Sequence, residues 1–226
     1  MLDLLRTIDF NKATELDRRF EKPYVGRGKL YFQQETFQKA IKELLKAISL
    51  NEKYIESYYT LGQCYVLIDD YPNALVYINR AVKMAPNNPD SYNTRGKIKN
   101  LREKYEEALT DFNKALELSP EFIRAYHNRG MAHFSLGNFK KALQDFNEAL
   151  KLDDRYTESL ISLGMVHEAQ GKMNDACREW RKAAFYGDTT GRFLAQENCE
   201  GKVKYKAPKE IKIKSDVPTC SPPSIL

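Results

Sequence analysis

Three histidines and four cysteines are the side chains of this 226-residue chain best suited to metal binding or nucleophilic chemistry. His133 and His167 stand 34 residues apart. In a repeating fold that interval could bring them together as ligands, but no third ligand column accompanies them, and zinc takes at least three protein ligands. Space-filling between helices is the expectation for both. Cys64, Cys177, Cys199 and Cys220 form no C-x-x-C pair and are too few and too scattered for a disulfide scaffold. Cys64, between Gly62 and Tyr65, reads as a small buried hydrophobe. The chain has no G-x-S-x-G turn, no P-loop and no glycine-rich nucleotide fingerprint. No catalytic residue, metal site or cofactor is expected, and the chain does not read as an enzyme.

Charge and composition narrow the partners. The net charge of +5 hints at nucleic acid until it is divided. Residues 201–226 hold six lysines against Glu210 and Asp216, so that stretch carries +4 and the rest only +1. A nucleic-acid-binding body needs a basic stripe of its own, and none is visible. At 42% hydrophobic and 30% charged residues the composition is that of a soluble folded chain. No apolar run is long enough to cross a bilayer. Met1-Leu2-Asp3-Leu4-Leu5-Arg6 puts an acid where a signal peptide needs a basic and then apolar stretch. The expected location is cytoplasmic, or a bacterial periplasm or envelope if the true N-terminus lies upstream.

What positions the remaining polar side chains is a repeat. Gly28, Gly62, Gly96, Gly130 and Gly164 recur every 34 residues. So do Ala40, Ala74, Ala108, Ala142 and Ala176, and again Ala47, Ala81, Ala115, Ala149 and Ala183. Aromatic columns run between them: Tyr24, Tyr58, Tyr92, Tyr126, and Phe37, Tyr71, Tyr105, Phe139. In the third unit Tyr92, Gly96 and Lys99 line one helical face, and Ala108, Phe112 and Ala115 line another. A polar break over Asn100–Lys104 makes the unit two antiparallel helices, with Gly96 and Ala108 small where they cross. Pro86 and Pro120 lack an N–H and stop the second helix before the next unit. Glycine inside a helix costs about 1 kcal/mol relative to alanine, so its recurrence there points to a packing requirement.

Small residues at fixed places among large aromatics resemble the tetratricopeptide repeat (TPR) family, whose W-x-x-L-G-x-x-Y…A-x-x-x-F…P motif has the same 34-residue period. The likeness covers five units without insertion: 21–54, 55–88, 89–122, 123–156 and 157–190. It implies an all-α, right-handed superhelical solenoid of stacked helix-turn-helix units. This chain departs from the motif in three columns. The motif tryptophan is tyrosine or Leu160, and the motif leucine is Arg27, Arg95 and Arg129 in three units. The motif's second aromatic runs Tyr31, Tyr65, Lys99, His133, His167, which predicts looser stacking toward the C-terminus.

The ends extend the register. Asp9-Phe10-Asn11-Lys12-Ala13 reappears as Asp111-Phe112-Asn113-Lys114-Ala115, so residues 1–20 read as a half unit, a second helix without its first. Either it caps the array at the N-terminus or the chain is a piece of a longer one. Asp188-Thr189-Thr190 can cap a last helix, over 191–200, that buries Phe193 and Leu194 on the final unit. Residues 201–226, lysine-rich with Pro218, Pro222 and Pro223, read as a flexible basic tail, or alternatively as a strand for a partner's sheet edge. The stretch Ala176–Ala183 with Gly187 and Cys199 is similar to the closing repeat of some bacterial envelope TPR proteins. That likeness implies a Cys177–Cys199 staple, whereas a reducing cytosol would keep both as thiols.

The TPR resemblance further implies that the first helices line a concave groove. The candidate groove residues are Tyr59 and Gln63 in unit two, Asn93 and Lys97 in unit three, and Arg124, His127, Asn128 and Met131 in unit four. Amides donate and accept together and so can hold an extended peptide backbone; Lys97 and Arg124 would add preference for an acidic group. The carboxylate clamp of chaperone-tail binders needs Lys/Asn, Asn and Lys/Arg across three units. Val25, Lys29, Thr60, Asp90 and Thr94 do not supply it, nor do the two later frames. The expectation is a non-enzymatic adaptor or scaffold binding a protein segment in its groove, with no nucleic acid and no membrane insertion. Two alternatives are a structural subunit bound through its convex face or ends, and the TPR portion of an enzyme whose catalytic domain is absent.

Overall fold

A computed structural model describes residues 2–199, with side chains from residue 9 onward. The basic stretch 201–226, whether tail or strand, lies outside the described residues. Twelve α-helices follow one another, with no strand among the described residues. They are α1 (Leu2–Leu16), α2 (Glu21–Gln33), α3 (Phe37–Leu50), α4 (Ile55–Leu67), α5 (Tyr71–Met84), α6 (Pro89–Leu101), α7 (Tyr105–Leu118), α8 (Ile123–Ser135), α9 (Phe139–Leu152), α10 (Thr157–Ala169), α11 (Met173–Phe185) and α12 (Thr189–Cys199). Each packs on its neighbours in sequence, and α2, α4, α6, α8 and α10 also touch one another in that order. The result is an all-α superhelical solenoid.

The core is a file of small and large side chains in the 34-residue register. Both alanine columns are fully buried in the second helices. Gly96 faces the Phe112 ring, and at the equivalent Gly62 the backbone of Ala74, from the first alanine column, lies alongside as well. A Cβ on Gly96 would stand 2.6 Å from the Phe112 ring, and Gly28, Gly62, Gly130 and Gly164 likewise face Leu44, Ile78, Phe146 and Trp180. All five of these large residues are completely buried. The glycine is therefore a notch that admits one bulky side chain per unit. That contact offsets its poor helix propensity.

The turn inside each unit is shorter than sequence suggests. In unit three it is only Arg102–Lys104, with Asn100 and Leu101 still helical. Its middle residue takes a left-handed backbone, as do its equivalents Glu35, Asp69, Gly137 and Gly171. Asp70 and Asn88 cap α5 and α6 by accepting from Asn73 N at 3.2 Å and Ser91 N at 3.0 Å.

The arginines in place of the motif leucine build a ladder. Arg129 Nη2 meets Asp145 at 2.6 Å while its Nη1 donates to Asn113 Oδ1 at 2.7 Å. Arg95 joins Asp111 and Asn79 in the same way, and Arg27 joins Glu43 and Asn11. Each guanidinium also lies over the tyrosine one turn earlier, 5.5 Å from Tyr24, 5.3 Å from Tyr92 and 5.6 Å from Tyr126. Lys99, standing in an aromatic column, reaches Asp111 at 2.9 Å.

At the C-terminal end Asp188 Oδ1 accepts from Gly191 N at 2.8 Å and starts α12. Leu194 and Ala195 pack toward Trp180 and Cys177. Phe193 is instead 60% exposed, which corrects the expectation that it is buried. The phase of α12 is set by Gly191 against the α11 backbone and by a Cys177–Cys199 disulfide with Cα atoms 5.7 Å apart. With those two points facing α11, Phe193 turns outward. Cys64 is fully buried, and burial pushes its thiol up to about 12.

Candidate functional site

Residues of α4, α6 and α8 open on a common concave cleft of about 480 Å³. Its walls include Tyr59, Gln63, Asn93, Lys97, Arg124, His127 and Asn128. Met131 does not line it. Met131 packs on the cluster around Phe146 and Leu163, and Ser162 Oγ donates to its sulfur at 3.4 Å. Phe32, Val66, Leu67, Thr94, Tyr156 and Glu158 complete the walls. Phe32 occupies in unit one the place that Val66 occupies in unit two, so carrying the groove register one unit back would have found it. Tyr156 closes its unit in a column with Tyr54 and Phe122, outside the first-helix places, and that aromatic column was its signal.

Neighbouring first helices are tied by side-chain rungs across the cleft floor. Asn128 Nδ2 donates to Asn93 Oδ1 at 2.9 Å, and Thr94 Oγ1 donates to the Tyr59 hydroxyl at 3.4 Å. Gln63 Nε2 donates to the same hydroxyl at 3.1 Å. Asn93 is only 7% exposed, so its Oδ1 is committed to the rung while Asn128 keeps donor and acceptor capacity beside it. Burial, against the opposing Thr94 hydrogen bond, pushes the Tyr59 phenol up and keeps it neutral.

The charges divide into bound and free. Arg124 Nη2 reaches Asp90 at 2.9 Å on the rim, with both side chains largely exposed. Lys97 has no ion-pair partner among the described residues. His127 lies between the Phe146 and Tyr156 rings, each 5.6 Å away, with Nδ1 3.3 Å from Ser159 Oγ. Burial first and the Lys97 ammonium second drive its imidazole down to about 4. Burial also raises the Tyr156 phenol to about 12. At neutral pH the cleft therefore presents amides, neutral rings and two cations, opposed by Glu158.

His133 and His167 do not reach this cleft. Each has a buried Nδ1 with no hydrogen-bond partner. Among the described residues no group of three or more His, Cys, Asp or Glu side chains could hold a metal ion. No helix of the described residues is long and apolar enough to cross a membrane.

Comparison with known proteins places the fold. A tetratricopeptide-repeat model matches residues 123–156 and a second TPR-repeat model residues 96–137. A model described as regulator of microtubule dynamics protein 1-3 matches residues 29–106. No curated protein sequence matches. Among solved structures, the Cut9-Hcn1 hetero-tetramer of APC/C aligns with TM-score 0.75 at 17% identity, over 86% of this chain and 39% of that one. TTC0263, a TPR protein of Thermus thermophilus, aligns with TM-score 0.68 at 19% identity, over 79% and 98%. YrrB, described as a TPR protein with an unusual peptide-binding site, aligns with TM-score 0.62 at 22% identity, over 83% and 97%. At such identities the structural likeness speaks for fold alone. With the 34-residue register and the paired helices, the chain has the tetratricopeptide-repeat fold, and residues 96–156 match models of the repeat itself.

Proposed function

We propose that this chain is a non-enzymatic adaptor whose concave cleft holds an extended segment of a partner protein. The observation that carries the reading is the convergence of Tyr59, Gln63, Asn93, Lys97, Arg124, His127 and Asn128, from three successive units, on one cleft. The rungs between Asn93 and Asn128 and between Tyr59 and Thr94 hold these groups before any ligand arrives, so binding orders little on the array's side. Amides beside neutral rings suit a peptide backbone and apolar side chains. Lys97, free of an acidic partner, favours a carboxylate on the ligand. YrrB, a TPR protein of similar fold, is described as having a peptide-binding site, which supports the same use here.

Selection of random peptides displayed on phage, followed by fluorescence anisotropy with the selected sequence, tests this. The expected peptide carries an acidic residue or a C-terminal carboxylate that requires Lys97. Asn93→Ala, Lys97→Ala, Arg124→Ala and Asn128→Ala together should weaken it by about tenfold or more, with helical circular dichroism unchanged. Undiminished affinity in the fourfold variant would place binding elsewhere.

A further inference from the structure

The arginine ladder breaks in unit five and leaves its frame standing. In units one, three and four a guanidinium takes an asparagine Oδ1 sixteen residues earlier and a carboxylate sixteen residues later. Unit two has lost the cation and both partners together, since Leu61 stands between Leu45 and Tyr77. Unit five has lost only the cation. Leu163 takes the arginine's place, while Asn147 and Glu179 still hold the two partner positions. A cleft of about 490 Å³ opens where these three residues meet, and it shares no residue with the concave groove.

The frame is incompletely used. The Glu179 side chain is 13% exposed and is met by Arg178 Nε at 2.9 Å, from an arginine that is itself 58% exposed. Arg178 also serves Asp175 through Nη1 at 2.8 Å. Asn147 donates its amide N–H to the Leu143 carbonyl at 2.7 Å, and no donor among the described residues reaches its Oδ1, the atom that accepts from the guanidinium in the other units. Lys151 and Lys182 line the cleft too, but Lys151 pairs with Glu148 at 2.7 Å and Lys182 lies over the Tyr186 ring at 5.9 Å. Glu179 is the one carboxylate lining the cleft among the described residues. A planar guanidinium can serve a carboxylate and an amide oxygen at once through its fork of donors, which an ammonium cannot do with the same geometry.

The geometry points to this cleft as the seat of an arginine side chain from a partner protein, its guanidinium standing between Asn147 and Glu179 as Arg129 stands between Asn113 and Asp145. The tyrosine over which the internal guanidiniums lie is Leu160 in this unit, so the arriving group gains the ionic frame without the aromatic face.

The probes are N-acetyl-arginine amide, N-acetyl-lysine amide and inorganic phosphate, titrated into the ¹⁵N-labelled full chain. The arginine derivative should shift the Asn147, Glu179 and Trp180 resonances saturably, with the lysine derivative about tenfold weaker. Leu163→Arg installs the internal cation used in units one, three and four and should abolish the shifts. Glu179→Gln keeps the shape and should weaken binding by about tenfold, which decides the matter if Leu163→Arg does not fold. Equal response to arginine and lysine, a response to phosphate instead, no response to any probe, or shifts that survive Glu179→Gln would each overturn the assignment. Because the groove contributes none of these residues, the fourfold groove variant should bind the arginine derivative as the parent does.

Discussion

Arg129 and Asp145 form an ion pair at 2.6 Å in which the carboxylate side chain is only 5% exposed and the guanidinium 23%. Sixteen residues separate them, and the same separation recurs in Arg95–Asp111 and Arg27–Glu43. Removing one partner of such a buried pair leaves an uncompensated charge and costs about 3–5 kcal/mol, whereas replacing the set by packed apolar groups is close to neutral. Arg129→Leu alone should therefore lower the urea midpoint strongly. Arg129→Leu with Asn113→Leu and Asp145→Tyr, which copies Leu61, Leu45 and Tyr77 of unit two, should restore most of the loss. A triple variant no more stable than the single one would mean the ladder matters for more than charge balance.

The turn inside each unit gives a second test. Its middle residue has φ of 56° at Glu35, 58° at Asp69 and 60° at Glu103, against 71° at Gly137 and 73° at Gly171. An L-residue in this region costs about 1 kcal/mol or more. Glu103→Gly should raise stability by about 0.5–1 kcal/mol after the entropy of the freer unfolded chain is set against it. Gly137→Ala, with no atom within 4 Å of its Cβ position, should cost about 1 kcal/mol through backbone strain alone. Melting temperatures of the two variants, moving in opposite directions, check the account.

The Cys177–Cys199 disulfide closes 22 residues and ties α12 to α11. Constraining a loop of that length is worth about 3 kcal/mol in the chain-entropy account. Because each unit of a solenoid contacts only its neighbours, the loss on reduction should stay local. Hydrogen exchange after treatment with dithiothreitol, or in Cys177→Ser/Cys199→Ser, should accelerate in α12 and at the end of α11 while α4–α7 keep their protection. Uniform acceleration along the array would show that the staple supports the whole molecule.

The helical architecture and the groove were legible because one interval governed both. Glycine and alanine at 34-residue spacing announced paired helices, and of the eight candidate groove residues named from the same register seven line the cleft, Met131 being the exception. Legibility failed where partners lie off the column being read. Arg27, Arg95 and Arg129 looked like departures from a leucine motif because their acids sit sixteen residues on, in another helix. Met131 holds a groove place in the register, yet its long apolar side chain finds Phe146 and Leu163 instead of solvent. Phe193 misled because eleven residues of α12 show no clear apolar period, and a covalent bond at Cys199 chose the buried face.

His127 makes the groove sensitive to acid. Its imidazole is pressed between Phe146 and Tyr156, and burial together with Lys97 brings it from an ordinary value of 6.5 to about 4. The fold thus favours the neutral ring. This contribution is fully present above pH 6.5, where neither folded nor unfolded chain holds the proton. As pH falls toward 4 the unfolded chain takes up a proton that the folded chain refuses, so stability declines through that window, by an amount on the order of 2 kcal/mol. Urea midpoints at pH 7 and pH 4.5 should therefore converge in His127→Phe, which keeps a ring in the same slot and cannot titrate. Lys97→Ala should raise the His127 titration midpoint toward its ordinary value, because the second cause of the depression is removed while burial remains. An NMR titration in which the His127 ring protons shift near pH 6.5 in the unmodified chain would place the imidazole in solvent, and with it the aromatic wall of the cleft.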